Sequence, residues 1–118
     1  MATILVVDDE PSLLSILEAI LQEQGHAVFT AGNGQEALDL LQATTPDLIL
    51  SDVMMPVMDG YQLVQQIRSR PAWQHIKIVL ISAAPIRRTP PLPIDETIAK
   101  PYDLDTVETL IDRLLGPS

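Results

Sequence analysis

Five side chains in this sequence could meet to do phosphoryl chemistry. Asp8 and Asp9 close the apolar run Ile4-Leu5-Val6-Val7. Asp52 closes Leu48-Ile49-Leu50-Ser51, Ser82 closes Ile78-Val79-Leu80-Ile81, and Lys100 closes Thr97-Ile98-Ala99. Three carboxylates in one place repel each other and call for a counter-charge, for which a hard divalent cation with oxygen ligands is suited; Mg²⁺ fits because it also shares its shell with phosphate oxygens. An aspartate beside such an ion can attack phosphorus and form an acyl phosphate. The transferring group then needs positive charge and a hydroxyl donor on its equatorial oxygens, which Lys100 and Ser82 could supply. Asp52 is the candidate nucleophile.

These groups meet only if the runs that carry them are parallel strands of one sheet. Residues 3–7 are continuous, aliphatic and β-branched, as in a strand covered on both faces. Pro11 suits a first helical turn, and Leu13, Leu14, Leu17, Ile20 and Leu21 recur at helical spacing up to Gly25, so residues 11–24 are expected as a helix. A weaker strand follows at 27–31. Asn33 with Glu36 three places on resembles a capping box for a helix to about Ala43. Residues 47–52 read as the third strand. The loop to Asp59-Gly60 carries Pro56, and Asp59 is expected as a turn residue, with Met54, Met55 and Met58 packed beneath. A helix is expected over 60–69, strands over 77–81 and 96–99, and a last helix from about Asp103 burying Leu104, Val107, Leu110, Ile111 and Leu114. The alternation implies α/β architecture with right-handed crossovers. In such a sheet, ligands bind beyond the carboxyl ends of the strands, where all five groups fall.

Composition narrows the classes. The chain has 118 residues, enough for one domain, and 47% hydrophobic residues, enough for a core that must be aliphatic because aromatics are 3%. The absence of cysteine excludes disulfides, thiolate metal sites and a cysteine nucleophile. A net charge of −9 argues against nucleic acid as a partner. No run approaches the roughly 18 apolar residues of a membrane span, and no secretory leader is visible, so a cytoplasmic domain with no membrane partner is expected. His26 and His75 sit at expected turns and read as solvated, as does Arg87-Arg88; Trp73 is expected against the turn before the fourth strand.

Taken together, Asp8-Asp9, Asp52 with Met55-Pro56 and Asp59-Gly60 behind it, Ser82-Ala83 and Lys100-Pro101 resemble the receiver domains of two-component response regulators, over almost the whole chain. The resemblance implies a single domain over 1–118 and a doubly wound, flavodoxin-like parallel sheet of five strands in the order 2-1-3-4-5. It implies Asp52 as phosphoacceptor, Asp9 and Asp52 as direct Mg²⁺ ligands with the Met54 backbone carbonyl, and Asp8 acting through water. Lys100 would pair with Asp52 and then with the phosphoryl group, Ser82 would hydrogen-bond that group, and Pro101 would follow a cis bond. The donor would be a phosphohistidine on a sensor histidine kinase or histidine phosphotransfer protein. The domain would be a switch and not a turnover enzyme, catalysing only its own phosphorylation and dephosphorylation.

Two features depart from that family. Thr97 stands where an aromatic residue is usual, three places before the lysine. The 17 residues between Ser82 and Lys100 include Pro85, Pro90, Pro91 and Pro93, so the usual helix there is expected to be short or missing. Ordinary phosphoryl acceptance with an atypical readout is the expectation. Two other readings stand beside it. One is a receiver-like interaction domain that works without phosphorylation, favoured by the proline-rich segment and opposed by the intact acidic set. The other is a haloacid-dehalogenase-like phosphatase, which would want a second aspartate at position 54, where Met54 stands, and a cap domain.

Overall fold

The computed structural model describes residues 2–86 and 93–116. Five parallel strands, β1 (Thr3–Val7), β2 (Ala27–Ala31), β3 (Leu48–Asp52), β4 (Lys77–Ser82) and β5 (Glu96–Ala99), lie in the order β2-β1-β3-β4-β5. The helices among the described residues are α1 (Pro11–Glu23), α2 (Gly34–Leu41), α3 (Gly60–Arg68) and α4 (Leu104–Leu115), with a short 3-10 turn at Pro71–Trp73.

Successive side chains of a strand point to opposite faces, so the aliphatic runs divide themselves between two layers. Leu5, Val7, Ile49, Ile78 and Leu80 face α2 and α3, where Ala37, Leu41, Leu63, Val64 and Ile67 meet them. Ile4, Val6, Leu48, Leu50, Val79, Ile81 and Ile98 face α1 and α4, where Leu17, Leu21, Val107, Leu110 and Ile111 meet them. The central strands are buried on both sides, which is why they read as unbroken apolar runs instead of alternating ones. Trp73 packs into the α2/α3 layer beside Ile76, at the entry to β4.

The helix ends carry the expected signals, with corrections. Gly25 takes φ +93° after α1. Asn33 caps α2 by accepting from the Glu36 N–H at 2.9 Å, but the Glu36 carboxylate accepts from the Gly32 N–H at 3.3 Å and from the Asn33 side-chain Nδ2 at 3.4 Å instead of from the Asn33 N–H, so the box is half formed. That helix stops at Leu41, short of Ala43. Asp59 is more than a turn residue: it accepts from the Gln62 N–H at 2.8 Å while the Gln62 side chain accepts from the Asp59 N–H at 2.9 Å, a complete capping box. Leu104 was expected inside and is 37% exposed, because at the first turn of α4 its face has cleared the sheet edge. Met55 and Met58 pack on the core, whereas Met54 is 69% exposed.

No described residue between β4 and β5 is helical. Pro90, Pro91 and Arg87-Arg88 lie outside the described residues. The described ends of this connection are held down individually. Ile86 and Ile94 pack against the α2/α3 layer. Arg68, at the end of α3, donates from Nε to the Pro93 carbonyl at 2.8 Å and from Nη1 to the Trp73 and Gln74 carbonyls at 3.3 and 3.2 Å. Its Nη2 also reaches Asp95 Oδ2 at 3.5 Å, and that same oxygen accepts from the Ile78 N–H at 2.8 Å. The planar guanidinium thus ties Pro93 and Asp95 to the end of α3 and to the turn before β4.

Candidate functional site

Strand register explains why distant residues meet. Val7 of β1 lies opposite Ser51 of β3, so Asp8 and Asp9 leave the sheet beside Asp52. Asp52 lies opposite Ile81, so Ser82 stands one step further along β4, and Ser82 lies opposite Ala99, which Lys100 follows. The Lys100 N–H donates to the Ser82 carbonyl at 2.9 Å, extending the ladder one residue past β5. All of the candidate side chains therefore reach the carboxyl edge of the sheet, and β1 and β3 flank the point where the winding reverses direction.

One carboxylate oxygen from each of Asp8, Asp9 and Asp52 lies within 4.8 Å of the others. Asp8 and Asp52 are buried and Asp9 is exposed at the mouth. Lys100 Nζ sits 3.1 Å from Asp52 Oδ1. Their side chains are 26% and 7% exposed, so the pair lies where water screens it only in part. Asp8 Oδ1 accepts from the Glu10 N–H at 2.9 Å, fixing the turn out of β1. Burial pushes the Asp8 carboxyl above its usual range; the Glu10 N–H opposes this, and the Asp52 charge adds to it. For Lys100, burial pulls the ammonium down, but its hydrogen bond to Asp52 and the charges of Asp52 and Asp8 prevail and raise it. A carboxyl raised chiefly by burial and a lysine held by its carboxylate neighbours mark a confined site in which Lys100 offsets part of the negative charge. Three hard oxygen donors at this spacing suit a small divalent cation better than a soft or nitrogen-loving metal, so these residues fit Mg²⁺.

Behind Asp52 the backbone is tightly constrained. The buried Ser51 hydroxyl donates to the Asp52 carbonyl at 2.9 Å. The Val53 N–H donates to the Ile81 carbonyl at 3.0 Å, and the Gly60 N–H donates to the Val53 carbonyl at 2.8 Å. The loop turns back through Val57 at φ +70°, where the Met58 N–H reaches the Pro56 carbonyl at 2.7 Å, a γ-turn. Such a φ is unfavourable for a β-branched residue, and Val57 is 79% exposed, so no burial offsets the strain. Ser82 is buried, and its hydroxyl accepts from the Ala84 N–H at 3.1 Å. The Lys100–Pro101 bond is cis. His75 is exposed, while His26 is half-buried and its Nδ1 accepts from the Ala2 N–H at 3.2 Å. Neither belongs to the acidic cluster among the described residues.

Three features here were not singled out in the sequence. Ser51 looks like an ordinary strand residue until its hydroxyl is seen on the Asp52 carbonyl. Val57 gives no local warning of positive φ. Tyr102, just past Lys100-Pro101, lies close enough for the charges of Lys100, Asp8 and Asp52 to act on its phenol.

Comparison with known proteins agrees with the geometry. The family model described as the response regulator receiver domain matches residues 4–112. The chain is 35% identical over 119 residues to response regulator Rre1 of Synechocystis sp., covering 97% of this chain and 52% of that protein. It thus spans about half the length of the curated relatives it matches. The receiver domain of a signal transduction histidine kinase from Syntrophus aciditrophicus superposes with a TM-score of 0.90 at 34% identity, covering 98% of this chain and 90% of that one. Response regulator TrrA of Thermotoga maritima, solved in complex with Mg²⁺ and beryllium fluoride, superposes with a TM-score of 0.83 at 33% identity, covering 97% and 99%. With the sheet order, the three carboxylates and the Lys100–Asp52 pair in place, the chain belongs to the response regulator receiver domains of phosphorylation-based two-component signalling.

Proposed function

We propose that residues 1–118 form one receiver domain in which Asp52 accepts a phosphoryl group from a phosphohistidine, and that the change of charge there alters partner binding. The observation that carries this reading is the Lys100 ammonium 3.1 Å from Asp52 Oδ1, beside two further carboxylates. An Asp52 oxygen bonds to phosphorus as the phosphorus–nitrogen bond of the donor imidazole breaks, and the imidazole takes up a proton. Lys100 holds the carboxylate in place before transfer and meets a phosphoryl oxygen afterwards. The Ser82 hydroxyl, which accepts from the Ala84 N–H, keeps its own proton free to donate to a second phosphoryl oxygen. Asp9, Asp52 and the Met54 carbonyl would hold Mg²⁺, with Asp8 acting through water. When bound, the ion offsets the repulsion among the carboxylates and draws charge from the phosphoryl oxygens.

The donor is a sensor histidine kinase or histidine phosphotransfer protein. The site of action is cytoplasmic, and among the described residues no helix is long and apolar enough to cross a membrane. The domain catalyses its own phosphorylation and dephosphorylation and no further reaction. The readout is atypical, because Thr97 carries no ring and no described residue between β4 and β5 is helical. That last observation also favours a second reading, an interaction domain that works without phosphorylation. Titrating the domain with Mg²⁺ and beryllium fluoride, followed by amide NMR, separates the two. Saturable shifts around Asp52 that vanish in Asp52→Asn support phosphoryl acceptance, and their absence in the unsubstituted protein leaves the interaction domain.

A further inference from the structure

Ser51 takes no part in the chemistry above, yet it touches the backbone that carries it. It is fully buried, and strand alternation puts its side chain on the face of β3 that Ile49 turns toward α2 and α3. Its hydroxyl donates to the Asp52 carbonyl at 2.9 Å. A hydroxyl taken out of water gives up about as much as one such hydrogen bond returns, so alanine would serve this apolar layer almost as well. What the hydroxyl adds is a fixed direction for one carbonyl. That carbonyl belongs to the peptide between Asp52 and Val53. The N–H of the same peptide donates to the Ile81 carbonyl at 3.0 Å. Gly60 closes on it from a further side, where a β-carbon would lie 2.7 Å from the Asp52 carbonyl oxygen. The peptide stands between Asp52 and Met54, two of the residues that would hold Mg²⁺. Turning it alters ψ of Asp52 and φ of Val53 together, and so moves the Met54 carbonyl relative to the Asp52 side chain.

We propose that Ser51 is a positioning residue that sets which cation the site prefers: by fixing the Asp52–Val53 peptide, its hydroxyl holds the Asp52 carboxylate and the Met54 carbonyl at a spacing that favours Mg²⁺ over Ca²⁺. The proposal rests on the cation ligands named above. Mg²⁺ is small and demands a near-octahedral shell of oxygens, whereas Ca²⁺ is larger and accepts more ligands in variable geometry. Two ligands held at a fixed spacing therefore suit the smaller ion, and letting one of them drift costs Mg²⁺ more than it costs Ca²⁺. Ser51 and Gly60 act on the same oxygen from two sides. Gly60 acts by leaving room, and Ser51 acts through a directed bond that can be removed without adding bulk.

Ser51→Ala removes the hydroxyl and should melt close to the unsubstituted protein, so it can be compared with it directly. In the absence of any cation, amide exchange at Val53, whose N–H belongs to the peptide in question, should quicken several-fold while exchange at Leu50 stays as it was. In separate calorimetric titrations with MgCl₂ and CaCl₂, Ser51→Ala should bind Mg²⁺ several-fold more weakly and Ca²⁺ with little change. Ile49→Val is the control: it lies on the same buried face, loses packing and keeps the hydroxyl, so it should melt lower with the ratio of the two affinities unaltered. Unchanged Val53 exchange in Ser51→Ala, or a loss of affinity equal for the two cations, would overturn the proposal. So would the same change of ratio in Ile49→Val, because the ratio would then report lost stability alone. Failure of the unsubstituted protein to take up Mg²⁺, or uptake that Asp52→Asn leaves intact, would count against the assigned ligands, while Val53 exchange still decides whether Ser51 holds the peptide.

Discussion

Replacing Gly60 by alanine would press a methyl group into the backbone that carries Asp52. A β-carbon built there lies 2.7 Å from the Asp52 carbonyl oxygen and 2.9 Å from the Val53 α-carbon. Neither atom belongs to a flexible side chain. The Asp52 carbonyl is also held by the Ser51 hydroxyl, and Val53 is held by Ile81 on one side and by Gly60 itself on the other. Overpacking a rigid site costs about 1–3 kcal/mol, and this site belongs at the upper end. Relief of the entropic cost of glycine returns roughly 0.5–1 kcal/mol, so the net loss is about 2 kcal/mol. For a domain of this size that lowers the melting temperature by roughly 6–10 °C. The displacement falls on Asp52, so Mg²⁺ affinity measured by calorimetry should fall with stability. Gly25→Ala is the control: its φ of +93° makes alanine strained, but nothing lies within 4 Å, and the site is remote. It should cost about 1 kcal/mol and leave Mg²⁺ binding unchanged. A Gly60→Ala protein as stable as its parent, or one that loses stability while binding Mg²⁺ as before, would refute the reasoning.

Three further outcomes are expected. Lys100→Met leaves Asp52 buried beside two other carboxylates without its cation, so urea denaturation should show a loss of about 1–3 kcal/mol that saturating Mg²⁺ largely restores. Arg68→Ala removes the contacts to Pro93, Trp73, Gln74 and Asp95, and should speed amide exchange at Ile78 and Asp95; Arg68→Lys should not rescue it, because an ammonium cannot reproduce the planar fork. Hydrogen bonds from the Thr106 N–H and hydroxyl hold the Asp103 carboxyl below its ordinary value of 3.8. Because the folded value is depressed, the stabilisation is complete above the unfolded value and is lost as pH falls through the folded one. Asp103→Asn, which keeps an acceptor at the cap of α4, should therefore lose less melting temperature than its parent in acid melts below that range.

How much of this was legible beforehand follows from the range over which each feature is determined. Strands β1, β3 and β4 were readable because burial on both faces forces an unbroken aliphatic run. Once those strands were parallel, their last residues had to share an edge, and Asp8, Asp9, Asp52, Ser82 and Lys100 followed from that alone. That no described residue between β4 and β5 is helical was readable from proline density. How the described end of that connection is held was not, because Arg68 reaches Pro93 and Asp95 across 25 and 27 residues of chain and no local pattern records that reach. Leu104 and Met54 were misplaced for a related reason: helical spacing and loop composition identify an apolar residue but not where the sheet ends beneath it. Tyr102 escaped notice because its nearness to Lys100, Asp8 and Asp52 exists only once the strands have brought those residues to one edge.

The proposed role of Asp52 as phosphoryl acceptor, with Lys100 holding it in place, has a direct test. The most direct measurement is to incubate the domain with Mg²⁺ and a small phosphodonor such as acetyl phosphate, and to locate the adduct by peptide mass spectrometry. One acid-stable, hydroxylamine-labile phosphoryl group on the peptide containing Asp52, absent in Asp52→Asn and slow to form in Lys100→Met, is the expected result. An adduct on another residue, or one that forms equally well in Asp52→Asn, would contradict the account.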